Sequence, residues 1–205
     1  MSKFTSFLMV LMAFVLPALP SHAQNAVPTA PDALVRSTVE DLLGVLSQGR
    51  DRRTLQTVVE QKVLPHFDFR AMTRLAVGRF WGEATSAQQK ALEQAFRTLL
   101  VRTYTAALSE AANAERKVEV KPAALKPGDD YTTVRTLVRE PGRRPLSIDY
   151  RMTLTDKAWK VIDIVAENAS LVISYRGSFA SEISRSGIDG LIRVLEDRNR
   201  QGAVV

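Results

Sequence analysis

The sequence predicts an α+β fold in which one curved, mainly antiparallel sheet of four strands is covered by helices. Apolar residues recur every three to four positions as far as about residue 114, and they alternate with polar residues between about 116 and 165. A helical period returns after that point. Helices, then a block of strands, then helices again is the element order of α+β domains. A length of 205 residues suits one sizeable domain.

The composition is that of an ordinary globular chain, and it excludes several kinds of site. Hydrophobic residues make up 45% of the sequence and charged residues 24%, with a formal net charge of +6. These values do not fit a mainly disordered or collagen-like chain. The chain has no cysteine, which excludes disulfide bonds, thiolate metal sites, iron–sulfur clusters and cysteine nucleophiles.

The first residues have the pattern of a secretory signal peptide. Lys3 precedes an apolar run over residues 4–19, and Ser21-His22-Ala23 supplies the small residues of a cleavage site. Prolines end the run before it reaches the roughly 20 apolar residues of a membrane span. We therefore predict cleavage after Ala23 and export of the mature chain.

The mature chain is predicted to form one domain between a flexible lead-in and a frayed tail. The lead-in is small and rich in proline, with nothing to bury. The predicted parts are the lead-in at 24–32, the domain at 33–197 with helices at about 33–114, a sheet at about 116–165 and C-terminal helices at about 169–198, and the tail at 199–205.

The helical part begins with two amphipathic segments. Asp32 is predicted as the N-cap of a helix that ends near Gly49, because a carboxylate can accept a hydrogen bond from a free backbone N–H at a helix start. A second apolar stripe runs from Leu55 to Val63. It is expected to end before Pro65, since proline disfavours a helical conformation in the residue ahead of it.

Two further helices have clear start and stop signals. Asp68 can cap a short third helix that Gly78 closes. Thr85 and Gln88 form a capping-box pattern, in which each side chain binds the backbone N–H of the other residue. They predict a long helix over about residues 86–112.

Four segments of alternating apolar and polar residues predict the strands. Turn residues at 141–143 and 155–157 separate the last three segments, so these are expected to form an antiparallel meander. After residue 169 a helical stripe returns, and Gly187 and Gly190 are expected to break it. The four predicted strands are 117–121, 131–139, 146–154 and 159–165.

The sequence offers little for nucleophilic or metal chemistry. His66 is the one histidine outside the predicted signal peptide, and no serine lies in a G-x-S-x-G elbow, so a catalytic triad is not expected. His66 is interpreted as a structural or capping histidine. No second histidine or cysteine accompanies it, and no acidic cluster has ligand spacing. We predict no metal site and no catalytic triad.

One acidic pair, Asp149 and Asp163 on the third and fourth predicted strands, invites a catalytic alternative, and Asp163 is the residue in question. Strict alternation places it on the same strand face as Trp159, Val161 and Val165, where a charge needs a partner. It could form a salt bridge with an arginine of a covering helix, or lie exposed. Alternatively, it could act as an acid or base in a small enzyme, with Tyr150 or His66.

Basic residues cluster at 50–53 and at 139–144. Nucleic-acid binding would require exposed aromatic residues among them and a compartment that contains nucleic acid, and neither condition is met. We predict no nucleic-acid partner. The clusters are interpreted as solvated loops, or as sites of attraction to anionic lipid head groups or an acidic protein surface.

Several motifs, in order along the chain, give a specific family resemblance. They include the strand-to-helix stretch and the glycine pair behind it, the region around His66, and the turn before the third strand. The chain resembles the MlaC family, also called the toluene-tolerance family, which is the periplasmic phospholipid-binding component of the Mla pathway. The motifs are 157–171, 186–191, 63–68, 75–78, Trp81, Thr85, Phe96 and 142–145, and the resemblance runs from about residue 33 to 195.

The resemblance implies a soluble periplasmic carrier with no enzyme activity. Such carriers move phospholipid between an outer-membrane lipoprotein complex and an inner-membrane ABC transporter that has an MCE-domain protein, and so maintain outer-membrane lipid asymmetry. The implied fold is a cone similar to nuclear transport factor 2 (NTF2-like), with acyl chains between sheet and helices. The implied cargo is phospholipid, with weak head-group selectivity and no cofactor. A carrier for a hopanoid or another lipid is the alternative.

Large apolar residues are predicted to face the space between the sheet and the helices, where the resemblance implies a lipid-binding pocket. Periodicity does not distinguish a filled core from a hollow one, so both interpretations stay open. The predicted lipid-binding residues are Leu75, Phe80, Trp81, Phe96, Leu99, Leu100, Tyr104, Tyr150, Met152, Trp159, Val161, Val165, Leu171, Val172, Tyr175 and Phe179.

Overall fold

The computed structural model describes residues 29–48, 52–110 and 116–201. The predicted signal peptide and the end of the predicted tail lie outside these ranges. The helices are α1 (Pro31–Ser47), α2 (Arg52–Val58), α3 (Phe69–Val77), α4 (Ser86–Glu110) and α5 (Leu171–Gln201). The strands are β1 (Lys117–Val120), β2 (Tyr131–Arg139), β3 (Leu146–Thr155), β4 (Ala158–Ala166) and β5 (Ala169–Ser170).

The strands form one antiparallel meander in the order β1-β2-β3-β4-β5, which confirms the predicted α+β class. The two-residue strand β5 is an addition to the four predicted strands. Asp156 and Lys157, between β3 and β4, have φ of 50° and 62°. Positive φ at both turn residues matches the twist of the flanking strands and produces a tight hairpin.

The N-terminal helices differ from the prediction at two boundaries. Helix α1 starts at Pro31 with Ala30 as its N-cap, so Asp32 lies inside the first turn. Proline suits this position because the first helical N–H has no partner in the helix. After α2 the chain continues through a π-helical turn, Val59–Val63, and a 3₁₀ turn, Leu64–His66, and Pro65 therefore lies within a helical turn.

The predicted caps of α3 and α4 are confirmed. The backbone N–H of Ala71 donates to an Asp68 carboxylate oxygen at 2.8 Å, and Gly78 ends α3 with φ 64°. The N–H of Gln88 donates to Thr85 Oγ1 at 3.2 Å, and the N–H of Thr85 donates to Gln88 Oε1 at 3.0 Å. These bonds satisfy N–H groups that a helix start otherwise leaves free.

Helix α5 is broken at Gly187, where φ is 71° and ψ 178°, as the glycines predicted. Its second half lies along α4, because Gln88 donates to Asp189 at 2.8 Å and Asn199 donates to the Ala95 carbonyl at 2.9 Å. The helix continues to Gln201, into the predicted tail. No helix in the described ranges combines the length and apolarity needed to cross a membrane.

Two groups of buried residues form most of the described core. The helical group joins α3, α4 and α5 around Phe96, whose ring packs edge-on against Tyr175 and Phe179 with centroids 5.1 and 5.2 Å away. The sheet group includes Val134 and Met152 and receives α1. A cavity lies between the two groups.

Candidate functional site

The candidate site is a cavity of about 700 Å³ between the inner face of the sheet and the helices. It opens to solvent where lining residues become exposed, with Tyr104 of α4 42% and Leu146 of β3 38% accessible. The lining comprises Leu34, Val35, Thr38, Val39, Leu42, Val59, Val63, Leu64, His66, Phe67, Phe69, Met72, Leu100, Val101, Tyr104, Thr105, Leu108, Leu146, Ile148, Tyr150, Met152, Val161, Ile164, Ala166, Ala169, Ser170, Leu171 and Ser174.

Long-range hydrogen bonds hold the walls of the cavity in place. Arg36 of α1 donates to the Val120 carbonyl of β1 at 3.0 Å, which fixes α1 across the sheet. Lys160 of β4 donates to the Pro65 carbonyl at 2.6 Å, and the N–H of Asp68 donates to the Val161 carbonyl at 2.9 Å. The segment after α2 is thereby held against β4, where several of its side chains line the cavity.

An irregularity in β4 decides which of its residues face the cavity. Val161 pairs with Met152, but Asp163 pairs with the preceding residue Arg151, so Ile162 is an extra residue on β4. Such a β-bulge shifts the alternation of faces by one position. Val161 and Ile164 both line the cavity as a result.

The bulge corrects the prediction for Asp163 and Val165. Strict alternation placed both on the face of Val161, but their cross-strand partners put them on the opposite face of the sheet, and neither lines the cavity. Ile164 occupies the cavity face instead.

Asp163 is a structural carboxylate whose acceptor sites are used by protein donors. It is 1% exposed and accepts hydrogen bonds from Arg151 Nη1 at 3.2 Å, Ser170 Oγ at 2.6 Å and the Val172 N–H at 3.2 Å. A carboxylate at a helix N-terminus satisfies a free N–H and is favoured by the helix dipole. The ion pair predicted for Asp163 exists, but its arginine comes from strand β3 and not from a helix.

Six of the predicted lipid-binding residues lie in the cavity lining. They are Leu100, Tyr104, Tyr150, Met152, Val161 and Leu171. The other ten lie elsewhere. Phe80, Trp81, Phe96, Leu99, Val172 and Phe179 are buried in the helical core group, with Leu75 and Tyr175 packed against it. Trp159 is buried in the sheet group, and Val165 lies on the outer face.

Several predicted helix residues do not line the cavity, because the apolar stripe of a helix faces inward over a wide arc. Phe96 and Leu100 both point inward, yet Phe96 meets the rings of α5 whereas Leu100 meets the cavity. Local periodicity gives the inward side of a helix and does not specify whether a neighbour fills the space there.

Sequence reasoning missed the contribution of α1 and of the segment after α2. Leu34, Val39 and Leu42 of α1 line the cavity, as does His66. The apolar stripe of α1 is visible in the sequence, but its contact with the sheet is not. Ile148 also lines the cavity and was not among the predicted residues. It could have been predicted, because it alternates with Tyr150 and Met152 and so lies on the same face of β3.

The lining is uncharged at neutral pH. None of the described lining residues is Asp, Glu, Lys or Arg. Burial raises the pKa of Tyr150 to about 12, and burial with the neighbouring Tyr175 phenol raises the pKa of Tyr104 to about 12. Burial, followed by the nearby charge of Lys160, lowers the pKa of His66 from its ordinary value of 6.5. An uncharged apolar wall suits hydrocarbon and disfavours ions.

Most polar side chains of the lining are engaged by protein partners. Thr38 donates to the Leu34 carbonyl at 2.8 Å and Ser174 to the Leu171 carbonyl at 2.6 Å. Within the described ranges, no group of three or more metal-ligating side chains is present. The arrangement can enclose an apolar ligand, and it offers no assembled acid–base pair.

This fold and cavity define the class of protein: an α+β protein whose single sheet and helices enclose a solvent-open apolar cavity. The family model described as MlaC protein matches residues 36–197, and the chain belongs to that family. The structure is similar to that of a phospholipid-binding protein from Ralstonia solanacearum solved in complex with a phospholipid. The two sequences are 34% identical, the match covers 85% of this chain and 99% of the other, and the TM-score is 0.75.

Proposed function

We propose that this protein is a periplasmic carrier that holds the acyl chains of a phospholipid in the cavity between sheet and helices. The observation that carries the proposal is the cavity of about 700 Å³ with no charged residue among its described lining residues. The phospholipid in the related Ralstonia solanacearum structure supports the choice of ligand.

The size of the cavity fits an acyl chain. At roughly 30 Å³ for a group the size of a water molecule, 700 Å³ holds about 23 such groups. The lining of β3 extends from Leu146 to Met152, a length of about 20 Å at 3.4 Å per residue. One leaflet of a bilayer has a hydrocarbon thickness of about 15 Å. The cavity therefore accommodates one full chain and part of a second.

The energy of transfer explains why a carrier is needed. Removing a CH₂ group from water is worth about 0.8 kcal/mol, so a chain of roughly 16 carbons gains on the order of 13 kcal/mol. Free lipid does not cross an aqueous space at a useful rate against such a cost. Delivery must therefore lower the affinity, through a partner that binds a lipid-free or opened state better.

Family membership supports the route that we propose for the lipid. The carrier would exchange phospholipid between an outer-membrane lipoprotein complex and an inner-membrane ABC transporter with an MCE-domain protein. Incubation of lipid-loaded protein with the MCE-domain protein of the same organism should transfer labelled phospholipid between them. Transfer no faster than to an unrelated soluble protein would contradict this route.

Extraction of the purified protein with organic solvent tests the central proposal. Mass spectrometry of the extract should find phospholipid near one equivalent per chain. A folded protein that carries no lipid, and takes none up from phospholipid vesicles, would overturn the proposal.

The catalytic alternative has no geometric support in the described residues. Asp163 and Tyr150 lie on opposite faces of the sheet, since Asp163 pairs with Arg151 and Tyr150 pairs with Ile164. The carboxylate of Asp163 is also occupied by three donors. A hopanoid would fill the same apolar lining, so the distinction between lipids depends on polar groups at the rim.

A further inference from the structure

Along strand β3 the cavity passes from an exposed mouth to a buried inner end. Alternate residues of β3 line it, and the first of them, Leu146, is 38% exposed whereas the last, Met152, is fully buried. Residues on one face of a strand are spaced by about 7 Å, so Met152 lies roughly 20 Å inward from Leu146. The cavity-facing residues of β3 are Leu146, Ile148, Tyr150 and Met152.

Beyond Met152 the space along the sheet is filled by the protein. Met152 pairs with Val161 of β4, and the next pair on the same face is Leu154 with Trp159. The Trp159 side chain is buried and packs in the same core group as Met152, and neither Leu154 nor Trp159 lines the cavity. A ligand that follows β3 inward therefore stops at the level of Met152 and Val161.

Met72 of α3 lies at the same inner end, on the helical wall. It lines the cavity and is 1% exposed. Its N–H donates to the Asp68 carbonyl at 3.0 Å, and the N–H of Asp68 donates to the Val161 carbonyl at 2.9 Å. Val161 is also the cross-strand partner of Met152. The helical wall and the sheet wall thus each contribute one methionine beside Val161.

A phospholipid is expected to enter this cavity with the methyl ends of its acyl chains first. Its ester and phosphate groups are polar, and the described lining contains no charged residue that could pair with them at the inner end. A chain that is longer than the cavity leaves CH₂ groups in water at the mouth, and each of these lowers the gain in affinity by about fourfold. The position of the inner end therefore affects which chains bind best.

We propose that Met72 and Met152 form the floor of the cavity and limit the length of the acyl chain that the protein holds. The inference rests on the proposed function and specifies its ligand by chain length. Methionine side chains are unbranched and flexible, so the native floor accepts a small range of lengths. Chains beyond this range stay partly in water.

A competition among chain lengths tests the floor. Delipidated protein is incubated with vesicles that contain equal amounts of phosphatidylglycerols with monounsaturated chains of roughly 14 to 20 carbons, the range around a bilayer core of about 30 Å. Bound lipids are quantified by mass spectrometry. Each variant is compared with the native protein in the same mixture, so that differences in how readily the lipids leave the vesicles cancel.

Substitutions of Met152 in opposite directions should shift the bound lipids in opposite directions. Met152→Ala deepens the cavity, and we expect it to raise the ratio of the longest to the shortest bound chains about fourfold to tenfold, since each further CH₂ that enters is worth about fourfold. Met152→Trp fills the inner end and should lower this ratio by a similar factor. Met72→Ala enlarges the same end from the helical wall and should act like Met152→Ala.

A matched control separates the floor from a general loss of stability. Leu92 is 0% exposed, belongs to the helical core group and does not line the cavity. Leu92→Ala should destabilise the fold and leave the chain-length ratio unchanged. Circular dichroism verifies that each variant is folded, and because the three methionine variants act on two walls, loss of folding in one leaves the test to the others.

The outcomes distinguish the floor from the carrier. Native chain-length ratios in the folded methionine variants would overturn the floor and leave the carrier intact, and so would an equal shift in Leu92→Ala. A folded native protein that takes up none of these lipids would overturn the proposed function.

Discussion

Arg151 and Asp163 face each other across strands β3 and β4, with Nη1 3.2 Å from the carboxylate, on the side of the sheet away from the cavity. The same carboxylate accepts the N–H of Val172 in the first turn of α5. The pair therefore connects the outer face of the sheet to the helix whose first residues border the cavity mouth. Asp163 positions this helix and does not enter the lining.

Asp163→Asn should destabilise the fold by about 1–3 kcal/mol, because it removes an ion pair and weakens the acceptor at the start of α5. Arg151 is 43% exposed, so water can solvate its guanidinium when the ion pair is lost. This limits the loss of stability. Urea unfolding monitored by circular dichroism measures the change. Asp149→Asn, on the same face of β3, is the control and should cost less than about 0.5 kcal/mol. Equal stability of the native protein and Asp163→Asn would contradict the assigned role.

A charge in the lining should abolish lipid binding. Leu171→Glu places a carboxylate against the acyl chain, and we expect extracted phospholipid to fall to less than about a tenth of the native amount, given the cost of burying an unpaired charge. Leu171 is half-buried at the mouth, so the variant should still fold. Val161→Glu should have the same effect on binding with a larger loss of stability, since Val161 is 3% exposed.

Ile173→Glu is the matched control for Leu171→Glu. Ile173 lies two residues further along α5, is 39% exposed and does not line the cavity. It should retain native amounts of lipid. If Leu171→Glu and Val161→Glu fold and keep their lipid, the cavity assignment is wrong.

Tyr150→Phe should leave lipid binding intact and change the stability of the lipid-free protein by less than about 0.5 kcal/mol. The Tyr150 ring lines the cavity, and no described residue is hydrogen-bonded to its hydroxyl. The cavity is open to solvent, so water can hydrate this hydroxyl in the lipid-free protein and its removal changes the free energy of unfolding little. Urea unfolding of delipidated protein checks the stability. A clear loss of bound lipid in this variant would instead place the hydroxyl in contact with the ligand.

The stability of the protein should depend on pH through His66. Its pKa is lowered in the folded state from the ordinary value of 6.5, so the folded state binds fewer protons than the unfolded state as the pH falls below that value. The contribution of neutral His66 to the free energy of unfolding is fully present above pH 6.5, and it is lost as the pH falls toward the pKa of His66 in the folded state. Urea unfolding between pH 7 and pH 5 should show a smaller loss of stability for His66→Gln than for the native protein. Parallel pH profiles for the two proteins would show that His66 does not contribute.

The caps and turns could be read from short stretches of sequence. Asp68, Thr85 with Gln88, and the break at Gly187 all act within about one helical turn, and the structure has them where they were predicted. The boundaries that differ involve proline at the start of α1 and within the 3₁₀ turn after α2. The local rules allowed more than one outcome at both places. After α2 the segment is held against β4, since the N–H of Asp68 donates to the Val161 carbonyl.

The residues of the candidate site were harder to predict from the sequence than the caps and turns. An extra residue at Ile162 reverses the face of every later position on β4, and nothing in the local alternation of apolar residues marks it. The phenols of Tyr104 and Tyr175 are 71 positions apart in the sequence, and only the crossing of α4 and α5 brings them together.

The sequence by itself determined the order of helices and strands, the caps, the tight turns and the family resemblance. These depend on residues that are close together in the chain, or on motifs that can be recognised in the sequence alone. The tertiary structure alone decided that a space between sheet and helices is left unfilled, which side chains surround it, and that Asp163 faces away from it. These properties depend on how distant elements pack and in what register the strands pair. Such long-range relations leave no periodic signal in the sequence.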